Sequence, residues 1–362
     1  MHISVSARPA IVGVTALVAT ALTLSACAPA NPTDASSAPS TDVTLIVHNS
    51  FPNEEFAAAA SAATGYTVSV VSAGDGGELS AQLVLTKGAP VADVFFGVDN
   101  VFATRLIDND VVESFVPAQP LTGRIADLAA QLGSVDAGYP MVPIDVGATC
   151  INIDPQWFAD RGIAEPTSYD DLADEQYRGL SVLLDPTMSS TGASFLIGTV
   201  AAFGEEGAAD YWQRLSANGP RLEQGWSDAY YGHFTQGGAD GTFPIVVSYS
   251  SSPAWTLTED GAASTTTALL DTCSTQVEYA GLLKGAANPE GAQAVLKYLL
   301  SGDFQDTIAD SMYMYPAAES AYVPADWQRF APLPTAPHDL TPAEISAGLA
   351  DWLKAWSTAT GW

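Results

Sequence analysis

The spacing of apolar and polar positions divides the chain into a leader, a polar stretch and a long folded part. From Ile11 to Leu24 the side chains are apolar apart from threonines and one glycine. Residues 1–26 carry one basic residue, Arg8, and no acidic one, and close on Ser25-Ala26 just before Cys27. A charged start, a short apolar middle and small residues at a cleavage point form the layout of a secretory leader. The apolar run is shorter than the roughly 20 residues a membrane span needs. Residues 28–42 contain no large apolar side chain. Such a stretch cannot bury enough surface to offset its ordering entropy, so residues 27–42 are expected to form a flexible tether.

From Val43 onward, short β-type runs alternate with helical ones, which predicts an α/β fold. Thr44–His48 reads as a first strand. Asn53 is expected to cap a helix over Glu54–Ala63, ended by Gly65. Tyr66–Val71 is a β-branched second strand, Leu79–Leu85 is helical, and Ala92–Val98 is an apolar third strand running into Asp99-Asn100. This succession describes a doubly wound half-sheet, whose ligands sit beyond the carboxyl ends of its strands. His48-Asn49-Ser50 and Asp99-Asn100 therefore stand at a candidate mouth.

Val142–Ile153 and Gln276–Ala280 read as strands that cross between two halves. Ser181–Leu184 is a strand leading through Asp185-Pro186 to a helix that starts near Ser190 and continues through Val200. Pro244–Tyr249 is another buried strand. Asn288-Pro289 opens a helix to Leu300, with proline at its favoured first position. Thr341-Pro342-Ala343-Glu344 is a capping box, and Trp352 and Trp356 share a face of the helix it begins.

Composition narrows the function. The folded part holds about 320 residues, enough for two domains. The formal charge of −29 excludes the basic surface that nucleic acid requires, and it favours cationic ligands. Cys27 follows the small residues as in a bacterial lipobox, so a lipidated Cys27 is expected to hold the protein at the membrane surface. Cys150 and Cys273 remain as a candidate disulfide in an oxidising compartment.

Enzyme signatures are missing. The histidines are His2, His48, His233 and His338, and no pair has metal-ligand spacing. There is no nucleophile elbow, P-loop or cofactor motif, and Gly74-Asp75-Gly76-Gly77 lacks dinucleotide spacing and reads as a plain turn. Ser189, Ser190 and Thr191 at a helix start suit either an anion or ordinary N-capping. Aromatic residues gather at element ends: Trp226, Tyr230 and Tyr231 beside Ser227, then Tyr249, then Tyr313 and Tyr315. Flat rings so placed can enclose a planar cation.

Three segments carry a family likeness: Ala92-Asp93-Val94-Phe95-Phe96-Gly97-Val98-Asp99-Asn100, Gly225-Trp226-Ser227-Asp228-Ala229-Tyr230 and Val247-Ser248-Tyr249-Ser250-Ser251-Ser252-Pro253-Ala254. With Gln276-Val277-Glu278 and Met314-Tyr315-Pro316, they resemble the periplasmic thiamine-binding proteins of ABC importers, a group related to ferric-ion and polyamine binders. The resemblance implies a two-lobed periplasmic-binding-protein fold, each lobe a mixed sheet flanked by helices and joined by two crossing strands. Lobe 1 is expected over 43–146 with 276–336, lobe 2 over 147–275, and a C-terminal helix over 337–362. It also implies that thiamine or thiamine phosphate is held by Trp226, Tyr249 and Tyr313, with His48, Asn49, Asp99, Ser227 and Tyr230 nearby and phosphate at Ser189, Ser190 and Thr191. His48-Asn49 stands where the family commonly shows Tyr-Asp, and Glu278 is a further source of negative charge. A membrane permease is the implied partner. Rival ligands are ferric ion, on Tyr230, Tyr231 and His48, or a polyamine. A rival of another class is a hydrolase of thiamine phosphates.

Overall fold

A computed structural model describes residues 40–362, except 135, 137 and 239. The leader, the Cys27 anchor and most of the tether lie outside the described residues. Ten strands follow in chain order: β1 (Asp42–Val47), β2 (Thr67–Ser72), β3 (Val94–Asp99), β4 (Val112–Glu113), β5 (Val142–Ile153), β6 (Ser181–Leu184), β7 (Arg221–Glu223), β8 (Ile245–Tyr249), β9 (Thr267–Leu283) and β10 (Tyr315–Pro316). They form one mixed sheet in the order β2-β1-β3-β9-β5-β8-β6-β7, with β4 paired to β9 and β10 to β5.

At one end β2, β1 and β3 run parallel, and at the other β7, β6 and β8 do. The two long strands between them, β5 and β9, pair antiparallel with each other and with their outer neighbours. This is the α/β arrangement expected, with two crossing strands in the middle. Every residue of β3, β5 and β6 is buried. Strands covered on both faces read as continuous apolar runs, which is why β5 and β6 have the limits their sequences suggest. On β3, Val94 and Phe96 enter one core and Phe95 the other, as side-chain alternation requires, while Val98 joins Phe95 because the register with β9 shifts between Phe96 and Val98.

Several elements depart from expectation for local reasons. The crossing strand expected over Gln276–Ala280 extends over 17 residues. Its first half includes Thr272, Ser274 and Thr275, polar residues that hydrogen-bond in place and so escape a hydrophobicity pattern. Cys150 and Cys273 are joined there, tying β5 to β9 with Cα atoms 4.2 Å apart. The first helix, Asn53–Thr64, has Pro52 at its cap, while the Asn53 amide donates to Ser72 Oγ at 2.9 Å instead. The helix Ser190–Ala217 is longer than read and breaks at Gly204, whose φ of 72° is open to glycine.

Gly74-Asp75-Gly76-Gly77 is more than a turn. Asp75 caps the helix Gly76–Leu85 and Glu78 reciprocates, forming a capping box that lengthens the helix by three residues over the Leu79 start. At the chain's end the Thr341–Glu344 box opens the helix Pro342–Thr360 as read. Trp352 and Trp356 are buried against the Ser190–Ala217 helix, with the Trp352 indole donating to Glu205 at 2.9 Å.

Candidate functional site

The carboxyl ends of β1 and β8 border a cleft enclosing about 970 Å³, part of it open to solvent. One wall is aromatic. The helix Trp226–His233 sets Trp226 and Tyr230 four residues apart, on one face, and their rings stack with centroids 5.1 Å apart. Tyr231 meets Trp226 edge-on at 5.2 Å, and Trp255 closes on Tyr231 at 5.5 Å. The Trp226 indole N–H donates to Ser248 Oγ at 2.9 Å, which shares a 2.7 Å bond with Ser252 Oγ. That chain fixes the ring's angle. Across the cleft Tyr313 ends the helix Ile308–Met312 with φ 56°, a left-handed conformation unusual for a side chain of this size. Its ring stacks on Trp327 at 6.2 Å, which supports it from behind.

The lining is also acidic, through Asp75 and Glu278, and Glu278 heads a buried row of carboxyls. Glu278 on β9 lies opposite Asp145 on β5 and Asp99 on β3 in the strand register, so three carboxyls line up across the sheet. Burial and the neighbouring Glu278 push Asp145 well above the usual carboxylate range. Burial lifts Asp99 to about 7, against the backbone N–H groups of Phe102 and Val101 that favour its charge. His48 Nε2 lies 3.5 Å from Glu278 Oε2. Burial disfavours the imidazolium, but Glu278 and Asp75 outweigh it and raise the pKa. Gly97 makes room for this ring, since a Cβ there would lie 2.1 Å from His48 Cδ2, and its φ of 96° suits glycine alone.

A third side is formed by the loops around Ser50 and Asp75. The Asp75 carboxylate accepts from its own helix at Gly76 (2.7 Å) and from the backbone N–H of Trp226 (3.1 Å). Gly77 N–H donates to the Met188 carbonyl at 2.9 Å. A Cβ on Gly77 would sit 2.5 Å from that oxygen, and one on Gly76 would sit 1.8 Å from Ser190 Oγ. Gly77 therefore permits a close approach to the Met188 backbone, and Gly76 makes room for the Ser190 side chain.

Of the residues singled out in the sequence, His48, Ser50, Trp226, Tyr230, Tyr231, Tyr249, Glu278 and Tyr313 line the cleft. Asn49, Asp99, Ser189, Ser190, Thr191 and Ser227 do not. Asn49 accepts from Gly74 N–H at 3.2 Å and holds the Asp75 loop. Asp99 is fully buried and turned onto the backbone of Val101 and Phe102. Ser189 caps its helix at Gly192 N–H, Ser190 lies under Gly76, and Thr191 bonds Tyr249 Oη at 3.1 Å. Ser227 faces Ser50 at 3.4 Å. Asp75, Ser251, Ser252, Trp255 and Ser311 also line the cleft without having been proposed. The capping-box spacing from Asp75 to Glu78 was a readable signal for the first of these. Nothing local marks Ser311 or Trp255, which arrive through tertiary packing.

The chain matches a family model described as bacterial extracellular solute-binding protein over residues 89–335. It is 28% identical over 291 residues to the thiamine-binding periplasmic protein of Escherichia coli (strain K12), covering 79% of this chain and 81% of that one. Among solved structures it is similar to a periplasmic thiamin binding protein, with a TM-score of 0.73, 24% identity, and 88% and 96% of the two chains covered. It is also similar to iron-bound HitA from Pseudomonas aeruginosa, with a TM-score of 0.68 and 19% identity over 88% of this chain and 99% of that one. At these identities the structural likeness establishes the two-lobed fold.

Proposed function

The chain belongs to the family of bacterial extracellular solute-binding proteins, and on that premise we propose that it captures thiamine, or a thiamine phosphate, for an ABC importer. It is a binding protein that works outside the cytoplasm, not an enzyme. The observation that carries the ligand is the cleft itself. Six aromatic rings, from Trp226, Tyr230, Tyr231, Tyr249, Trp255 and Tyr313, face the carboxylates Asp75 and Glu278. Thiamine is two flat rings, one bearing a fixed positive charge. Aromatic faces attract such a cation by about 0.5–2 kcal/mol each, more as water is excluded. The similarity to proteins named for thiamine binding supports the same ligand.

The mechanism follows from the fold. Lobe 1 (43–146 with 276–336) and lobe 2 (147–275) each supply walls, with His48, Asp75, Glu278 and Tyr313 from the first and Trp226, Tyr230, Tyr249 and Trp255 from the second. Thiamine that touches both walls binds the closed form better than the open one, and that difference in affinity drives closure. The closed form then docks on a membrane permease, with lipidated Cys27 keeping the receptor at the membrane and the polar tether giving it reach.

A ferric site on Tyr230 and Tyr231 has less support, because burial raises both phenol pKa values and opposes the phenolates iron needs. Calorimetric titration with thiamine, spermidine and ferric citrate tests the ligand class. One-to-one binding of thiamine, with the other two silent, is expected. Tight binding of either rival with none of thiamine overturns the proposal.

A further inference from the structure

We infer that Asp145, which does not line the cleft, holds a proton against Glu278 in the ligand-free protein and yields it to solvent when a cation binds beside Glu278, an inference that rests on the thiamine reading above. Glu278, by contrast, is part of the lining. The two stand opposite each other on β9 and β5, so their side chains share one face of the sheet. Asp145 is fully buried, and among the described residues no N–H or O–H reaches either of its carboxyl oxygens. The neighbouring acids are placed differently. Asp75 accepts from the N–H groups of Gly76 and Trp226, and Asp99 from those of Val101 and Phe102. A carboxylate with neither water nor a donor is strongly disfavoured, and more so beside a second negative charge. A protonated Asp145 avoids both costs, and Glu278 is there to accept its hydrogen.

The groups around this pair leave Asp145 as the source of the proton. His48 Nε2 lies 3.5 Å from Glu278 Oε2, but its Nδ1 accepts from Ser50 N–H at 3.2 Å, a bond that an imidazolium forfeits. The Gln276 amide lies 3.5 Å from Glu278 Oε1 and 3.2 Å from Tyr249 Oη, and burial holds that phenol well above its usual range. Asp99 feels Glu278 as well, and Arg105 interacts with Asp99. On the β10 side, where Pro316 stands opposite Asp145, the Arg124 guanidinium is occupied by the carbonyls of Pro316 and Ala317. A thiazolium beside Glu278 counters the negative charge that faces Asp145. The Asp145 O–H then ionises more readily, and its proton leaves for water or buffer while the ligand's own bonds stay unchanged. Binding and proton release are thereby linked, so affinity rises with pH for as long as Asp145 holds its proton in the ligand-free protein.

Calorimetric titration with thiamine in two buffers of different ionisation enthalpy counts the protons exchanged. At about pH 7, at least ~0.3 proton is expected to leave per thiamine bound, and Kd should tighten at least ~3-fold from about pH 6.5 to 8, above the range in which thiamine itself titrates. No release, or net uptake, overturns the inference and leaves the thiamine reading intact. If thiamine does not bind at all, the thiamine reading itself fails and the inference fails with it. Asp145→Asn, checked for native melting, sets a permanent amide donor against Glu278 and is expected to bind thiamine with less than half of the wild-type release. Glu278→Gln breaks the pair from the other side and should lose the release as well, which keeps the inference open to refutation if the asparagine variant does not fold. A native variant of either kind that keeps more than half of the release shows that the proton comes from another group, and overturns the inference.

Discussion

Removing the Trp226 ring separates an aromatic binding wall from mere packing. Trp226 stacks on Tyr230 at 5.1 Å, meets Tyr231 at 5.2 Å and Tyr249 at 5.9 Å, and leaves part of its surface on the cleft. In Trp226→Ala a bound thiamine loses one ring face, a cation–π attraction of about 0.5–2 kcal/mol. The neighbouring rings also lose a support that holds them in place, at about 0.5–1.5 kcal/mol for such pairs. Together these predict a loss of about 1–3 kcal/mol in binding, or roughly 5- to 150-fold in Kd. Because the side chain is only half-buried, stability should change less than affinity. Calorimetry gives the Kd and thermal melting the stability. Trp226→Phe keeps a ring but loses the 2.9 Å bond to Ser248, so it should fall between wild type and alanine. An alanine variant that binds thiamine as wild type does would refute the aromatic wall.

Other perturbations test other parts of the structure. Gly77→Ala places a Cβ against the Met188 carbonyl at 2.5 Å and should destabilise the fold by about 1–3 kcal/mol; an unchanged denaturation midpoint contradicts a close approach at this point. Replacing both Cys150 and Cys273 by serine opens a bond spanning 123 residues, and denaturant titration should show about 4–5 kcal/mol lost; an unchanged midpoint contradicts a stabilising bridge. Stability should fall as pH rises from about 5 to 8. Asp99 at about 7, Asp145 well above its usual range and His48 raised from 6.5 all hold protons in the folded protein that the unfolded chain releases. A higher melting temperature at pH 8 than at pH 5.5 would contradict this, and Asp145→Asn should flatten the dependence.

The fold was readable wherever burial was complete. β5 and β6 are buried along their whole length and mostly apolar, and the Thr341–Glu344 box marks a helix start by itself. β9 was only half visible, because Thr272 and Ser274 in its first half are buried polar groups whose partners lie far along the chain. The cleft was readable for a similar reason in part. Aromatic residues at element ends stand out against polar neighbours, as Trp226 and Tyr249 do. Asp145 gave no sign, since an acid in an apolar strand shows its environment only when β9 brings Glu278 opposite it. Ser189, Ser190 and Thr191 are buried, and their neighbours Gly192, Gly76 and Tyr249 are set partly by packing that no local pattern displays.

A crystal structure of the protein grown with thiamine tests the central claim most directly. The account predicts the vitamin in the cleft, with a ring face against Trp226 and the thiazolium toward Asp75 and Glu278. An empty cleft at saturating thiamine, or thiamine bound elsewhere on the chain, would contradict it.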